Sequence, residues 1–205
     1  NNTVLDFNNG TPLAKACNNL LIIDVGSTFD MAIGTPSGTG SLTIGGSVTN
    51  NGTFTFPNVD SDVVVLGSFS SSGTVNLGTV NGADLYVKGN LTVSAGTFNG
   101  NNRAVFFTGN GVTQQINSSL SPLTIPYVVF APSAGNTTVQ LTGTGTFAIT
   151  APLGGNAISF NSAADNFDLN NESLTIGTAG VANTIIGGGS FEGSITSNLT
   201  LLGTG

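Results

Sequence analysis

The chain has 205 residues, 39% hydrophobic and only 6% charged, with a net charge of −7. That apolar content excludes a disordered tail, and three cations (Lys15, Lys88 and Arg103) exclude the basic surface that nucleic acid or an anionic membrane requires. Cys17 is the only cysteine and there is no histidine, which excludes an internal disulfide and removes the commonest general base and metal ligand.

An ordinary globular domain carries roughly 25% charged residues. Here Asn, Thr, Ser and Gly take that place, a surface chemistry suited to extracellular β proteins. No apolar run reaches membrane-spanning length, so membrane insertion is not expected. The N-terminal residue is Asn1, and the last residues, 198–205, read as a strand interrupted in mid-repeat. The expectation is a piece of a larger protein.

Along the chain, residues 1–40 hold Lys15, Cys17, Met31 and the apolar run Leu20-Leu21-Ile22-Ile23. They fit the later pattern less well and are expected to form an N-terminal cap or diverged coils. Cys17 reads as a small buried hydrophobe. From residue 41 onward the text becomes alternation: Leu42-Thr43-Ile44, Thr53-Phe54-Thr55-Phe56, Thr74-Val75-Asn76-Leu77, Leu91-Thr92-Val93, and later 137–141 and 146–150. Each is a short strand with one apolar and one polar side, set off by Gly, Asn, Ser and Pro. No window sustains helical periodicity.

These strands recur. Gly45, Gly67, Gly89 and Gly111 are spaced by 22, and the segments that follow align Gly-Thr-Phe, Gly-Thr-Val and Gly-Thr-Phe at 52–54, 73–75 and 96–98. The closing apolar pairs Val63/Val65, Leu85/Val87 and Val105/Phe107 align too. Ser41-Leu42-Thr43-Ile44-Gly45 returns as 173–177, six periods on. A repeat this short cannot close a core alone, so the pattern predicts an all-β fold: a parallel β-solenoid with coils of about 22 residues over 41–205. Phe54, Val75 and Phe98 are then expected to stack. The competing architecture is an antiparallel sandwich, which predicts hairpins. Pro122, Pro126 and Pro132 predict a bend or loop beside Tyr127–Phe130, because proline cannot donate to a ladder.

Candidate sites are sparse. Asn58, Asp60 and Asp62 offer oxygens at alternate positions, as a Ca²⁺ loop begins, but no acid completes the loop. A turn rich in Asn and Asp accounts for them, and equally for Asp165, Asp168 and Glu172. No catalytic residue, cofactor site or carboxylate cluster is visible, so no enzymatic activity is expected. Thr-rich strands raise ice or crystalline glycan as ligands. However, the positions matching Thr55 hold Asn76 and Asn99, and threonine's strand preference explains much of the content.

Residues 89–117 (GNLTVSAGTFNGNNRAVFFTGNGVTQQIN) and 173–205 resemble the recurring unit of the giant "β-strand repeat" surface proteins of Bacteroidota. The resemblance spans most of 40–205. It implies an adhesin-like cell-surface protein exported by the type IX secretion machinery, although no C-terminal sorting domain is present in the chain. The expected function is a rod or stalk of a secreted surface adhesin or extracellular filament, attached to other domains of a larger surface protein. Adhesion to glycans or surfaces through its own faces, including ice, is the alternative. A carbohydrate-active enzyme comes last.

Overall fold

The structure, a computed structural model, describes residues 4–6, 15–31, 41–56 and 60–204. Every regular element in them is a strand, and every strand pairing is parallel. After β1 (Val4–Asp6) the strands come in threes, one for each face of a coil. The first two coils are β2 (Lys15–Cys17), β3 (Leu21–Ile23), β4 (Thr28–Asp30) and β5 (Leu42–Ile44), β6 (Val48–Asn50), β7 (Thr53–Thr55). Next come β8 (Val63–Val65), β9 (Phe69–Ser71), β10 (Thr74–Asn76) and β11 (Leu85–Val87), β12 (Leu91–Val93), β13 (Thr97–Asn99). The fifth and sixth are β14 (Ala104–Phe107), β15 (Thr113–Ser118), β16 (Leu123–Ile125) and β17 (Tyr127–Phe130), β18 (Thr138–Gly143), β19 (Phe147–Ile149). The last two are β20 (Gly155–Ser159), β21 (Asn166–Asp168), β22 (Ser173–Ile176) and β23 (Asn183–Ile186), β24 (Ser190–Glu192), β25 (Asn198–Leu201).

The first strands of the coils form an eight-stranded sheet, the second strands another, and the third strands two shorter sheets of five and four. This is a β-solenoid, and no hairpin of the rival sandwich occurs among the described residues. Alternation fixes the inside. In β8, β11 and β12 the first and third residues are buried and the middle one is partly exposed. Stacked inward positions run Leu42, Val63, Leu85, Val105, Val128, Ile158 up the first face. On the third face Val75 pairs with both Phe54 and Phe98, the stack the sequence predicted, and Phe29 extends it. Phe54 is fully buried, with ring centroids of Phe29 and Phe56 at 5.0 Å and Phe69 at 5.9 Å.

The coil length needs correction. Steps of 20 to 23 residues hold only in the middle: Leu42 to Val63, Val63 to Leu85, Leu85 to Val105. Val128 pairs with Ile158, and the average coil is roughly 25 residues. The extra residues sit in corners between strands, in the six-residue strands β15 and β18, and at a register shift within β20. The match of 41–45 with 173–177 was coincidental, since β5 lies on the first face and β22 on the third. The glycine register also shifts by one: Gly67 N–H donates to Gly46 rather than Gly45, and Gly89 N–H to Gly67. At the next corner Gly52, Gly73 and Gly96 lie one above the other. A Cβ on Gly73 or Gly96 would come within 2.0 or 2.1 Å of the carbonyl oxygen one coil below.

The second face buries polar side chains at both of its corners. Asn50 donates to Ser71 Oγ (3.0 Å) and the Thr74 carbonyl (2.8 Å), and its Oδ1 accepts from Gly52 N–H. Gln114 donates to the carbonyls of Val87 and Gly89 while accepting from Gly109 N–H. Such side chains satisfy the backbone where the chain leaves one face for the next. Of the N-terminal segment, β2 and β3 pair in register with β5 and β6, while residues 7–14 and 32–40 lie outside the described residues. Cys17 is half-buried and packs against the core.

The proline-rich stretch sits where the third face is interrupted. Its ladder stops at β13 and resumes at β16, while the first two faces run on. Pro122 and Pro126 flank β16, and the Pro126 ring lies against Gly100, where a Cβ would meet its Cδ at 2.2 Å. The packing makes a stability prediction. Phe54→Ala is expected to cost on the order of 3–5 kcal/mol, and Thr92→Ala, on the partly exposed side of β12, less than about 1 kcal/mol. Chemical denaturation of both variants checks this, and equal costs would contradict a stacked core.

Candidate functional site

Asn58 lies outside the described residues. Asp60 and Asp62 stand at the entry to β8, and the structure adds a third carboxylate beside them, Asp84, at the entry to β11. The sequence shows no carboxylate cluster, whereas the fold brings Asp60, Asp62 and Asp84 together. The signal was available, because Asp62 and Asp84 precede the aligned strands β8 and β11 by the same one residue.

Each of the two aspartates serves the coil above. Asp62 Oδ1 accepts from Asp84 N–H (3.3 Å) and Asp84 Oδ1 from Ala104 N–H (2.7 Å). Asp84 N–H sits just ahead of β11 and Ala104 N–H at the first residue of β14, and each takes a carboxylate of the coil below as its acceptor. Asp60 reaches over Gly82, whose φ of +78° and missing Cβ leave room for the carboxyl group. Arg103 is buried, donates to Asn81 Oδ1 (2.9 Å) and offsets the charge of Asp84.

Burial pushes the Asp62 carboxyl up to about 6, and the charges of Asp84 and Asp60 add to this against the hydrogen bond from Asp84 N–H. Asp84 is raised for the same first reason, moderated by Ala104 N–H and Arg103. Tyr86, beside both, is pushed up to about 12 by burial and then by the two carboxylates. Chemically the cluster is a ladder of acceptors for backbone amides. Among the described residues no three His, Cys, Asp or Glu side chains are placed to hold a metal ion.

Of the other acids, Asp168 and Glu192 are register partners in successive coils of the second face. Asp165 is fully buried and accepts from the N–H groups of Thr137, Asn161 and Ser162, a structural corner. Asp168 accepts from Gln140 Nε2 and from Asn170 N–H. Glu172 is raised by burial and lies beyond the turn that follows β21.

Two further surface features were not legible as sites. A cleft of about 300 Å³ opens at the interruption between β13 and β16, lined by Thr97, Phe98, Ser121, Pro122, Leu123 and Thr124. It holds hydroxyls and apolar walls but no charged group. On the third face Thr28, Thr53, Thr74 and Thr97 pair in one uninterrupted column. The sequence comparison had followed the neighbouring column, where Thr55, Asn76 and Asn99 are linked by amide hydrogen bonds. No protein family, curated protein or solved structure matches this chain.

The raised Asp62 gives a pH prediction. The folded state holds this proton more tightly than the unfolded chain does, whose ordinary value is 3.8. Its stabilising contribution is therefore complete below about pH 4, falls as pH rises through about 6, and is absent above. Asp62→Asn keeps an acceptor for Asp84 N–H and removes the charge. It is expected to melt at higher temperature than the wild type at pH 7.5 and at the same temperature at pH 4. A gap of equal size at both pH values would show that ionisation of Asp62 is not the cause.

Proposed function

We propose that this chain is a structural rod: a stalk or spacer segment of a secreted cell-surface adhesin or extracellular filament, without catalytic activity. The observation that carries this reading is the ladder itself. Each strand pairs only with the coils directly above and below, so load along the axis passes through every coil interface in turn. The resemblance of 89–117 and 173–205 to bacterial β-strand repeat surface proteins supports the location. Type IX export and attachment to other domains of a larger surface protein belong to the same proposal. The acids support it too, since those described in detail accept from backbone and amide N–H groups within the rod. Antibodies raised against the folded chain are expected to label intact source cells or their extracellular filaments. Labelling only after permeabilisation would reject the surface location.

The threonine column favours a second reading, adhesion to ice or a crystalline glycan. Four threonines repeat at the coil spacing, about 4.8 Å. The column ends after four coils at the cleft, and its neighbour is mixed, which favours the rod. If the column binds ice, the chain shows thermal hysteresis that Thr74→Val or Thr74→Lys reduces. The rod reading expects none.

A further inference from the structure

The first face differs from the other two in what it shows to the outside. In the four coils from β8 to β19 the outward positions on the second face are Ser70, Thr92, Asn117 and Thr142, and on the third face Thr74, Thr97, Thr124 and Ala148, while Ile22 stands outward two coils earlier on the second face. On the first face the equivalent column is Val64, Tyr86, Phe106 and Val129, paired coil to coil. All four are partly exposed, and Leu66 beside them is 47% exposed. Strands that read as continuous apolar runs are those covered on both sides of their sheet.

The geometry narrows what can cover it. The rings of Tyr86 and Phe106 are parallel, with centroids 4.2 Å apart and 9° between planes. They are stacked along the rod, so their faces meet each other and their edges point outward. A sugar ring needs an open aromatic face, which this pair does not offer. An apolar sheet face fits the edges instead. One coil of the column carries a charge on each side: about β11 the outward side chains run Asp84, Tyr86, Lys88, acid on one side of the stripe and base on the other.

We propose that this face packs against the same face of a second copy, about a two-fold axis parallel to the rods. That operation sets β11 antiparallel over the partner's β11, with Tyr86 over the partner's Tyr86 and Asp84 over the partner's Lys88. The other two-fold, with the rods antiparallel, lays Asp84 over the partner's Asp84 and repels. The four coils of the apolar column, about 17 Å wide, offer on the order of 330 Å² per rod, and the whole eight-stranded face on the order of 600 Å², against about 800 Å² per partner in a standard interface. The dimer is therefore concentration-dependent, and the rods lie side by side in the same direction.

Sedimentation of the whole chain is expected to show a monomer–dimer equilibrium weakened by salt. Phe106→Thr, which gives this face the residue the others carry, and Lys88→Glu, at an exposed position, are each expected to leave the melting temperature within a few degrees and abolish the dimer. In a Cys17→Ser background, spin labels at Thr43→Cys and, separately, Ser159→Cys are each expected to report a short distance to their own copy. Antiparallel rods with Asp84 over Asp84 would separate the Thr43 labels by about four coils, on the order of 19 Å, and the Ser159 labels by about six, on the order of 29 Å. A monomer at all concentrations, a dimer unaffected by either variant (as end-to-end stacking would be), or long distances at both labels would overturn the proposal. So would retention of a different protein or a glycan on this face with no self-association.

Discussion

The structure depends on one constraint: the backbone groups of a strand find their partners in the coil above and the coil below. A strand such as β11 is bonded to β8 on one side and β14 on the other, in the same direction, residue against residue. Register is then not free. A slip of one residue would turn Leu85 and Val87 outward and bury Tyr86 alone. Insertions go mostly to the corners, which is why coils as different as those from Leu85 to Val105 and from Val128 to Ile158 still keep their inward residues aligned. Glycine marks the tightest corners, where backbone rests on backbone and a side chain would push the coils apart, as at Gly73 and Gly96.

The same constraint explains how much of the molecule could be read in advance. Alternation and the recurring Gly-Thr-Phe step identify the strands, their stacking and the Phe54–Val75–Phe98 column, because those features are local or repeat at nearly constant spacing in the middle coils. The exact coil length was less legible, since corner length carries no register and drifts. Identical short phrases on different faces, 41–45 and 173–177, then look like one repeat when they are not. The acidic cluster was hidden for a related reason. Asp62 and Asp84 are neighbours only once coils are superposed, and scanning for acids close in sequence misses a pair that is close one coil away. The threonine column needed the same superposition, and following Thr55 instead of Thr53 gave a mixed column.

Stacking also accounts for the low charge. Any position that repeats in the ladder places its side chains about 4.8 Å apart along the whole rod. Two like charges at about 4 Å cost about 1 kcal/mol in water and more where solvent is excluded. A column of aspartates or lysines therefore accumulates repulsion with every coil. A column of Asn, Gln or Thr does not, because each amide can donate to the coil on one side and accept from the other. Gln115 donates to Gln140 and Gln140 to Asp168, and Asn99 donates to Asn76 and Asn76 to Thr55.

Acids do stack in places, as Asp168 and Glu192 do, and another such pair shows the size of the effect. Asp62 and Asp84 occupy one column in successive coils, and Asp60 sits beside them. Burial and mutual repulsion together raise Asp62 to about 6, while Arg103, one of only three cations in the chain, is placed against Asp84. Beyond Asp84 the column turns to Ala104, which presents its N–H to the last carboxylate instead of adding a third. In this column the run of carboxylates thus ends where the next coil supplies an N–H in place of a third acid, whereas Asp168 is followed in register by Glu192 on the second face. Polar surface made from amides and hydroxyls follows from the fold, and it leaves the apolar first face as the one outward column whose composition the ladder itself does not require.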